Sequence, residues 1–161
     1  MITLITERSE EALQFCADPW PFQQTFKTPL KDLNRFVTVF LALFPLEMGT
    51  LCTDEVVFEP EKLQKLFSSS LVQVENIWHF NISVQGKLEI AELLEAALGD
   101  WVGFVFVSSP ESFAIYADHD EYTTFYTSNK TNLVKLVSGL VQAGFEPVVN
   151  YLRGSSADRW R

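Results

Sequence analysis

The sequence predicts a single α+β domain in which a mainly antiparallel sheet is packed by about four helices. Apolar runs of strand length follow one another closely between residues 101 and 127. Such short connections favour antiparallel pairing, because parallel strands need a long crossover. Segments with apolar residues at helical spacing lie on either side. With 161 residues and 47% hydrophobic content, we expect one domain over 1–152 and a loose basic tail over 153–161.

The first third of the chain predicts a strand and two helices. Met1–Thr6 alternates loosely, as a short strand does, and Ser9–Ala17 opens with a capping serine followed by acidic residues. A second helix is predicted to begin at Thr28 and Pro29, because proline is favoured at the first helical position, and to end at Pro45. Its apolar residues recur at helical spacing and predict a core helix: Leu30, Leu33, Phe36, Val37, Phe40 and Leu41.

The middle of the chain predicts two strands and two helices. Residues 51–58 are predicted as a strand, and a short helix follows Pro60. The run 72–84 alternates between apolar and polar residues, which predicts a strand with one buried face. Leu88–Leu98 is predicted as an amphipathic helix, and Gly99 as the residue that ends it.

Three further strands are predicted to form a meander. Residues 101–109 are apolar at successive positions, which predicts an interior strand covered on both faces. Residues 112–117 and 122–127 are predicted as the next two strands. The tetrapeptide Asp118–Glu121 joins them, so its four titratable residues are expected at a hairpin turn.

A last amphipathic helix follows the meander. Ser128 or Thr131 is its predicted cap, because both carry a hydroxyl that can accept from the first backbone N–H groups. Gly144 followed by Phe145 predicts a left-handed helix end with an apolar contact. The predicted buried face contains Leu133, Leu136, Val137, Leu140 and Val141.

Acidic residues are concentrated in one part of the chain. The net charge is −9, and the segment from Leu88 to Asn129 contains eight acidic residues and no lysine or arginine. Because these acids are close in sequence, we expect them to form one negative surface. Such a surface repels nucleic acid and membranes and attracts cations or a basic protein partner. The alternative is an acidity that serves only solubility.

Several classes of function lack their sequence signals. The two cysteines form no metal-binding pair, and no apolar run approaches the ~20 residues of a membrane-spanning helix. The acidic N-terminal region contains no signal-peptide core, so we expect a cytoplasmic protein. The seven glycines are scattered and form no phosphate-binding loop, and the common hydrolase and zinc-protease motifs are absent from the sequence. We therefore expect no cofactor.

The tetrapeptide Asp118–Glu121 is the strongest candidate for a metal or acid/base site. Two carboxylates and the imidazole of His119 can bind a divalent ion, but the calcium-loop pattern is absent. In a strand, Asp118 and Asp120 point away from His119 and Glu121, and in a turn all four splay outward. A metal would therefore need further ligands from elsewhere, and a solvated turn is favoured.

If the same region has a function, a protein-binding surface is favoured over a reaction centre. Tyrosines bury a large contact area at low entropic cost, and carboxylates steer and pair with a basic partner. The predicted contact residues of the hairpin are Tyr116, Asp118, His119, Asp120, Glu121, Tyr122 and Tyr126. A second acidic group lies on one face of the predicted helix and consists of Glu89, Glu92 and Glu95. The alternative is that the tyrosines simply form the outer face of a strand.

In its overall profile the chain resembles the immunity proteins of bacterial polymorphic-toxin and contact-dependent growth inhibition systems. The shared features are a small acidic α+β domain, aromatic residues among carboxylates, and no catalytic motif. The resemblance implies a non-enzymatic protein that occludes a basic toxin domain, with its carboxylates substituting for phosphates. The alternatives are a small adaptor domain and a metal-dependent or hydrolytic enzyme that uses Asp118, His119 and Asp120. The oligomeric state stays open.

Overall fold

The computed structural model describes residues 1–5, 20–53, 59–67, 81–109, 113–118 and 120–151. The described strands are β1 (Ile2–Ile5), β2 (Phe22–Lys27), β3 (Met48–Thr53), β4 (Asn81–Gln85), β5 (Phe104–Ser109), β6 (Phe113–Ala117) and β7 (Tyr122–Thr127). The described helices are α1 (Leu33–Leu43), α2 (Glu61–Phe67), α3 (Lys87–Gly99) and α4 (Lys130–Gln142). The helix expected at Ser9–Ala17, most of the strand expected at 72–84 and the tail at 153–161 lie outside the described residues.

The seven strands form one antiparallel sheet with the order β1-β4-β3-β5-β6-β7-β2. The predicted α+β class, with a mainly antiparallel sheet and about four helices, is therefore confirmed. The predicted meander is confirmed as well, since β5, β6 and β7 are neighbours in the sheet. Among the described residues, no helix is both long and apolar enough to cross a membrane.

Helix α1 packs its phenylalanines on the sheet, as its spacing predicts. The rings of Phe40 and Phe125 lie 5.2 Å apart, and those of Phe44 and Phe113 lie 4.3 Å apart. Residues 36, 40 and 44 share one helix face because they are four apart, so a single side of α1 covers β6 and β7. This helix is the aromatic centre of the core.

The predicted start of α1 at Thr28 and Pro29 is wrong, and the helix begins at Leu33. The backbone N–H of Thr28 donates to the carbonyl oxygen of Glu121 at 2.8 Å, and the Thr28 and Thr123 hydroxyl groups bond at 2.7 Å. These bonds hold Thr28 beside the sheet in continuation of β2. A turn over residues 29–32 then leads into the helix.

Both faces of the central strand β5 are buried, which confirms the prediction for this strand. Phe104 and Phe106 join the core on the helical side of the sheet. Val105 and Val107 belong to a second apolar cluster, against which Trp20 packs. The sheet is therefore covered on two sides, and a side chain on either face of its centre has no access to solvent.

Polar side chains cap the starts of α2 and α4. The Asp100 carboxylate, at the end of α3, accepts from the backbone N–H groups of Lys62 (3.2 Å) and Leu63 (2.8 Å) in α2. The side chain of Asn129 caps α4 by accepting from the N–H groups of Thr131 (2.8 Å) and Asn132 (3.2 Å). The cap predicted at Ser128 or Thr131 is therefore wrong by one or two positions. Asn129 is as good a capping residue as serine.

Candidate partner-binding surface

Two hydrogen bonds hold the second half of the β6–β7 turn (residues 118–121), at Asp120 and Glu121. The side chain of Asp120 accepts from the N–H of Tyr122 at 3.1 Å, a local bond that is typical of aspartate in turns. The carbonyl oxygen of Glu121 accepts from Thr28, so the turn is tied to the end of β2. Asp120 and Glu121 are exposed and Asp118 is half-buried. His119 lies outside the described residues.

Residues 27–32 form the other wall of an open cleft beside this turn. The cleft, called here the corner cleft, has a volume of about 410 Å³. Its lining residues are Lys27, Thr28, Pro29, Leu30, Lys31, Asp32, Glu121 and Tyr122. The antiparallel pairing of β2 with β7 brings these walls together, because Lys27 is the register partner of Tyr122. The acidic turn therefore faces two lysines that are about 90 residues away in sequence.

Trp101 reaches the same corner from the end of α3. The N–H of Val102 donates to Ala97 (3.2 Å) and that of Trp101 to Leu98 (3.3 Å), which is the bond pattern of a Schellman helix end. Trp101 occupies its left-handed position with φ of 58°. The prediction that Gly99 ends the helix is thus wrong by two residues, because Trp101 has the left-handed conformation. Trp101 lines a small cavity together with Asp118 and Glu121.

Backbone strain is concentrated around this corner. Among the described residues, three that are not glycine have a left-handed φ, namely Trp101, Glu121 (68°) and Asn150 (59°). The first two line one cavity, and Asn150 precedes Tyr151, whose ring lies 5.1 Å from that of Tyr122. Strained conformations of this kind persist where the surrounding structure enforces them, and they cluster at functional sites. This corner is therefore the best candidate site of the described structure.

The three tyrosines predicted at the contact surface differ in burial. Tyr122 is half-buried at the turn and lines the corner cleft. Tyr116 and Tyr126 are only 2% and 5% exposed and belong to the second apolar cluster. The expectation that Tyr116 and Tyr126 offer their rings to a partner is wrong for this fold, because the sheet is covered on both faces.

The described acids of the segment from Leu88 to Asn129 do not form one continuous surface. Glu89 lies 3.7 Å from the N-terminal nitrogen of Met1, at the end of the sheet where Gln85 pairs with Met48. The β6–β7 turn is at the opposite end, and the last turn of α3 reaches it through Leu98. Glu89 and Leu98 are nine positions apart on the helix, which corresponds to about 14 Å. Glu92 is exposed and Glu95 half-buried between these ends.

A metal centre finds no support among the described residues, which contain no group of three or more histidine, cysteine or carboxylate side chains placed to hold an ion. His119, on which acid/base chemistry at the turn would depend, lies outside the described residues, as does the other histidine of the chain, His79. Sequence reasoning missed Lys31, Trp101 and Tyr151 as residues of the corner. No local signal marks them, because the loop after β2, the residue after α3 and Tyr151 meet only through long-range contacts.

Comparison of the chain with protein-family models, with curated proteins and with solved structures finds no match.

Proposed function

We propose that this protein is a non-enzymatic binding protein that neutralises a basic protein partner, as the immunity proteins that it resembles neutralise toxin domains. Asp120 and Glu121 present two exposed carboxylates, and hydrogen bonds hold the backbone at Glu121 and Tyr122. A preorganised contact loses little conformational entropy on binding, so more of its interaction energy appears as affinity. The fixed, exposed acidic turn is the observation that carries the proposal.

Aromatic side chains next to the turn support a protein partner over a small ion. Tyr122 is half-buried beside the carboxylates, and Trp101 lines a small cavity with Glu121. Binding hot spots are enriched in tyrosine and tryptophan, which combine apolar area with a polar atom. In this proposal the carboxylates steer the encounter and take the place of phosphates in the partner's cationic cleft.

The β6–β7 turn is the proposed contact, and the acidic face of α3 serves as its matched control. Two double variants change the net charge by the same amount. The first is Asp120→Lys with Glu121→Lys, and the second is Glu92→Lys with Glu95→Lys. If the turn makes the contact, the first pair lowers the association rate at least about tenfold at low salt, and the second pair lowers it only slightly. The difference shrinks as salt screens the exposed charges.

The measurement needs the partner, and the reading frame next to this gene is the place to look for it. The C-terminal domain of the neighbouring protein is expressed with and without this chain, and growth and complex formation are followed. The expected result is growth arrest that this chain relieves, with relief lost in the turn variant and kept in the α3 variant. A toxic neighbour that this chain neither binds nor neutralises contradicts the proposal, and so does a neighbour that is harmless and unbound.

A further inference from the structure

The charges that line the corner cleft are not all engaged by neighbours. Lys27 pairs with Glu146 at 3.3 Å, and Asp32 pairs with Arg35 at 2.7 Å. Among the described residues, Lys31 and Glu121 make no ion pair. The cleft therefore has one available carboxylate, at the foot of the acidic turn, and one available ammonium group, in the 27–32 wall.

Tyr122 forms the aromatic wall of the cleft and is held by Tyr151 and Asp120. Tyr122 lines the cleft, whereas Tyr151, whose ring lies 5.1 Å away, does not. The contact with Tyr151 restrains the Tyr122 ring, and the Asp120 carboxylate accepts from the backbone N–H of Tyr122 at 3.1 Å. A tyrosine ring held in this way offers a flat surface of partly negative character next to the free carboxylate of Glu121.

We propose that the corner cleft binds one arginine side chain of the partner, with the guanidinium stacked on Tyr122 and paired with Glu121. This inference rests on the proposed function and specifies the chemical group that the surface recognises. The cleft volume of about 410 Å³ accommodates a long side chain together with the neighbouring backbone. Lys31 repels a second cation, so the anchor is a single arginine and not a run of basic residues.

Arginine suits this site better than lysine or an anion. The planar guanidinium stacks on an aromatic face and forms two parallel hydrogen bonds to one carboxylate, whereas an ammonium group is a strongly hydrated point charge. An anion would meet Lys31 but would also face Glu121 in the cleft, and Asp118 lines the adjoining small cavity with the same Glu121. The carboxylates therefore favour a cation over an anion, and the aromatic wall favours a planar cation.

The probe for this subsite is N-acetyl-L-arginine amide, with N-acetyl-L-lysine amide as its matched control. Each is titrated into the full ¹⁵N-labelled chain, and backbone amide shifts are followed by NMR. With the arginine probe we expect saturable shifts at Leu30, Lys31, Glu121 and Tyr122. With the lysine probe we expect at least about threefold weaker binding, because an ammonium group cannot make the stacked, two-bond contact.

Two variants change the affinity for the arginine probe in opposite directions. Glu121→Gln removes the paired charge and weakens binding about tenfold. Lys31→Gln removes the repulsion and strengthens binding about two- to fivefold, with a gain that shrinks at high salt. Lys130→Gln, an exposed lysine at the start of α4, leaves the affinity unchanged.

Three results would each overturn the inference. They are amide shifts on α3 instead of the cleft with the arginine probe, equal affinities for the two probes, and a Lys31→Gln variant that binds the arginine probe no better. The outcome is separable from that of the proposed function. Arginine binding at the cleft without protection against the neighbouring protein rejects the function and keeps the subsite. Protection without arginine binding keeps the function and rejects the subsite.

Discussion

Two helices of this protein end with the same bond pattern but with different residues in the left-handed position. At the end of α4, Phe145 donates to Leu140 (3.0 Å) and Gly144 occupies the position with φ of 94°. At the end of α3 the position is filled by Trp101. The sequence predicts the first case, because glycine adopts this conformation without cost. It cannot predict the second, since a tryptophan there is strained and is held by its surroundings.

The strain at Trp101 predicts an unusual ranking of two substitutions. Both Trp101→Gly and Trp101→Ala remove the ring and its contacts, but only alanine keeps a Cβ in the left-handed conformation. The glycine variant should therefore be the more stable by about 1 kcal/mol, as measured by urea unfolding.

Gly144→Ala is the matched comparison and should cost about the same amount. An added Cβ at Gly144 meets nothing within 4 Å, so that cost comes from the backbone alone. A Trp101→Ala variant as stable as Trp101→Gly would show that the backbone relaxes.

At the scale of elements, α2 depends on a cap supplied from another helix. Asp100 is only 8% exposed, and its carboxylate satisfies two backbone N–H groups at the start of α2. Asp100→Ala leaves these donors unsatisfied and should lower the free energy of unfolding by about 1–2 kcal/mol. Asp100→Asn keeps an acceptor oxygen and should cost clearly less, because asparagine caps as well as aspartate. Equal losses in the two variants, measured by urea unfolding, would contradict a capping role.

Strand β2 decides the composition of the candidate site, and the sequence does not reveal it. Its residues, FQQTFK, show no clean alternation, and the two prolines before them indicate a loop. The strand forms because β7 offers a free edge, with Phe22 paired to Thr127 at one end and Lys27 to Tyr122 at the other. The meander, α3 and α4 were predictable because their patterns are local. The corner cleft was not, because one of its walls follows β2.

At the scale of the whole molecule, sequence proximity misleads about surface charge. The acids between Leu88 and Asn129 are close in the chain, but that segment traverses α3, β5, β6 and the β6–β7 turn. The chain thus runs the length of the sheet repeatedly, and its acids reach opposite ends. Within the described ranges, the turn is where acidic, aromatic and cleft residues meet. Composition therefore predicts the sign of the partner's charge, and long-range pairing decides the place of contact.

The sheet and the helices are expected to unfold as one unit, which tests the predicted single domain. Phe106 lies in the central strand, is fully buried, and has its ring over Gly49, where a Cβ would come within 2.4 Å of it. Phe106→Ala leaves a cavity there and should cost about 3–5 kcal/mol. Leu88→Ala, at a side chain that is 76% exposed, should change stability by less than about 0.5 kcal/mol.

Tryptophan fluorescence and far-UV circular dichroism should report the same urea transition in the parent protein and should shift together in Phe106→Ala. Coincidence is expected because α1 packs on β6 and β7 while α3 packs on α1 and α2, so the helices and the sheet share one core. Two separate transitions, or a Phe106→Ala shift in only one signal, would show that the chain divides into independently folding parts.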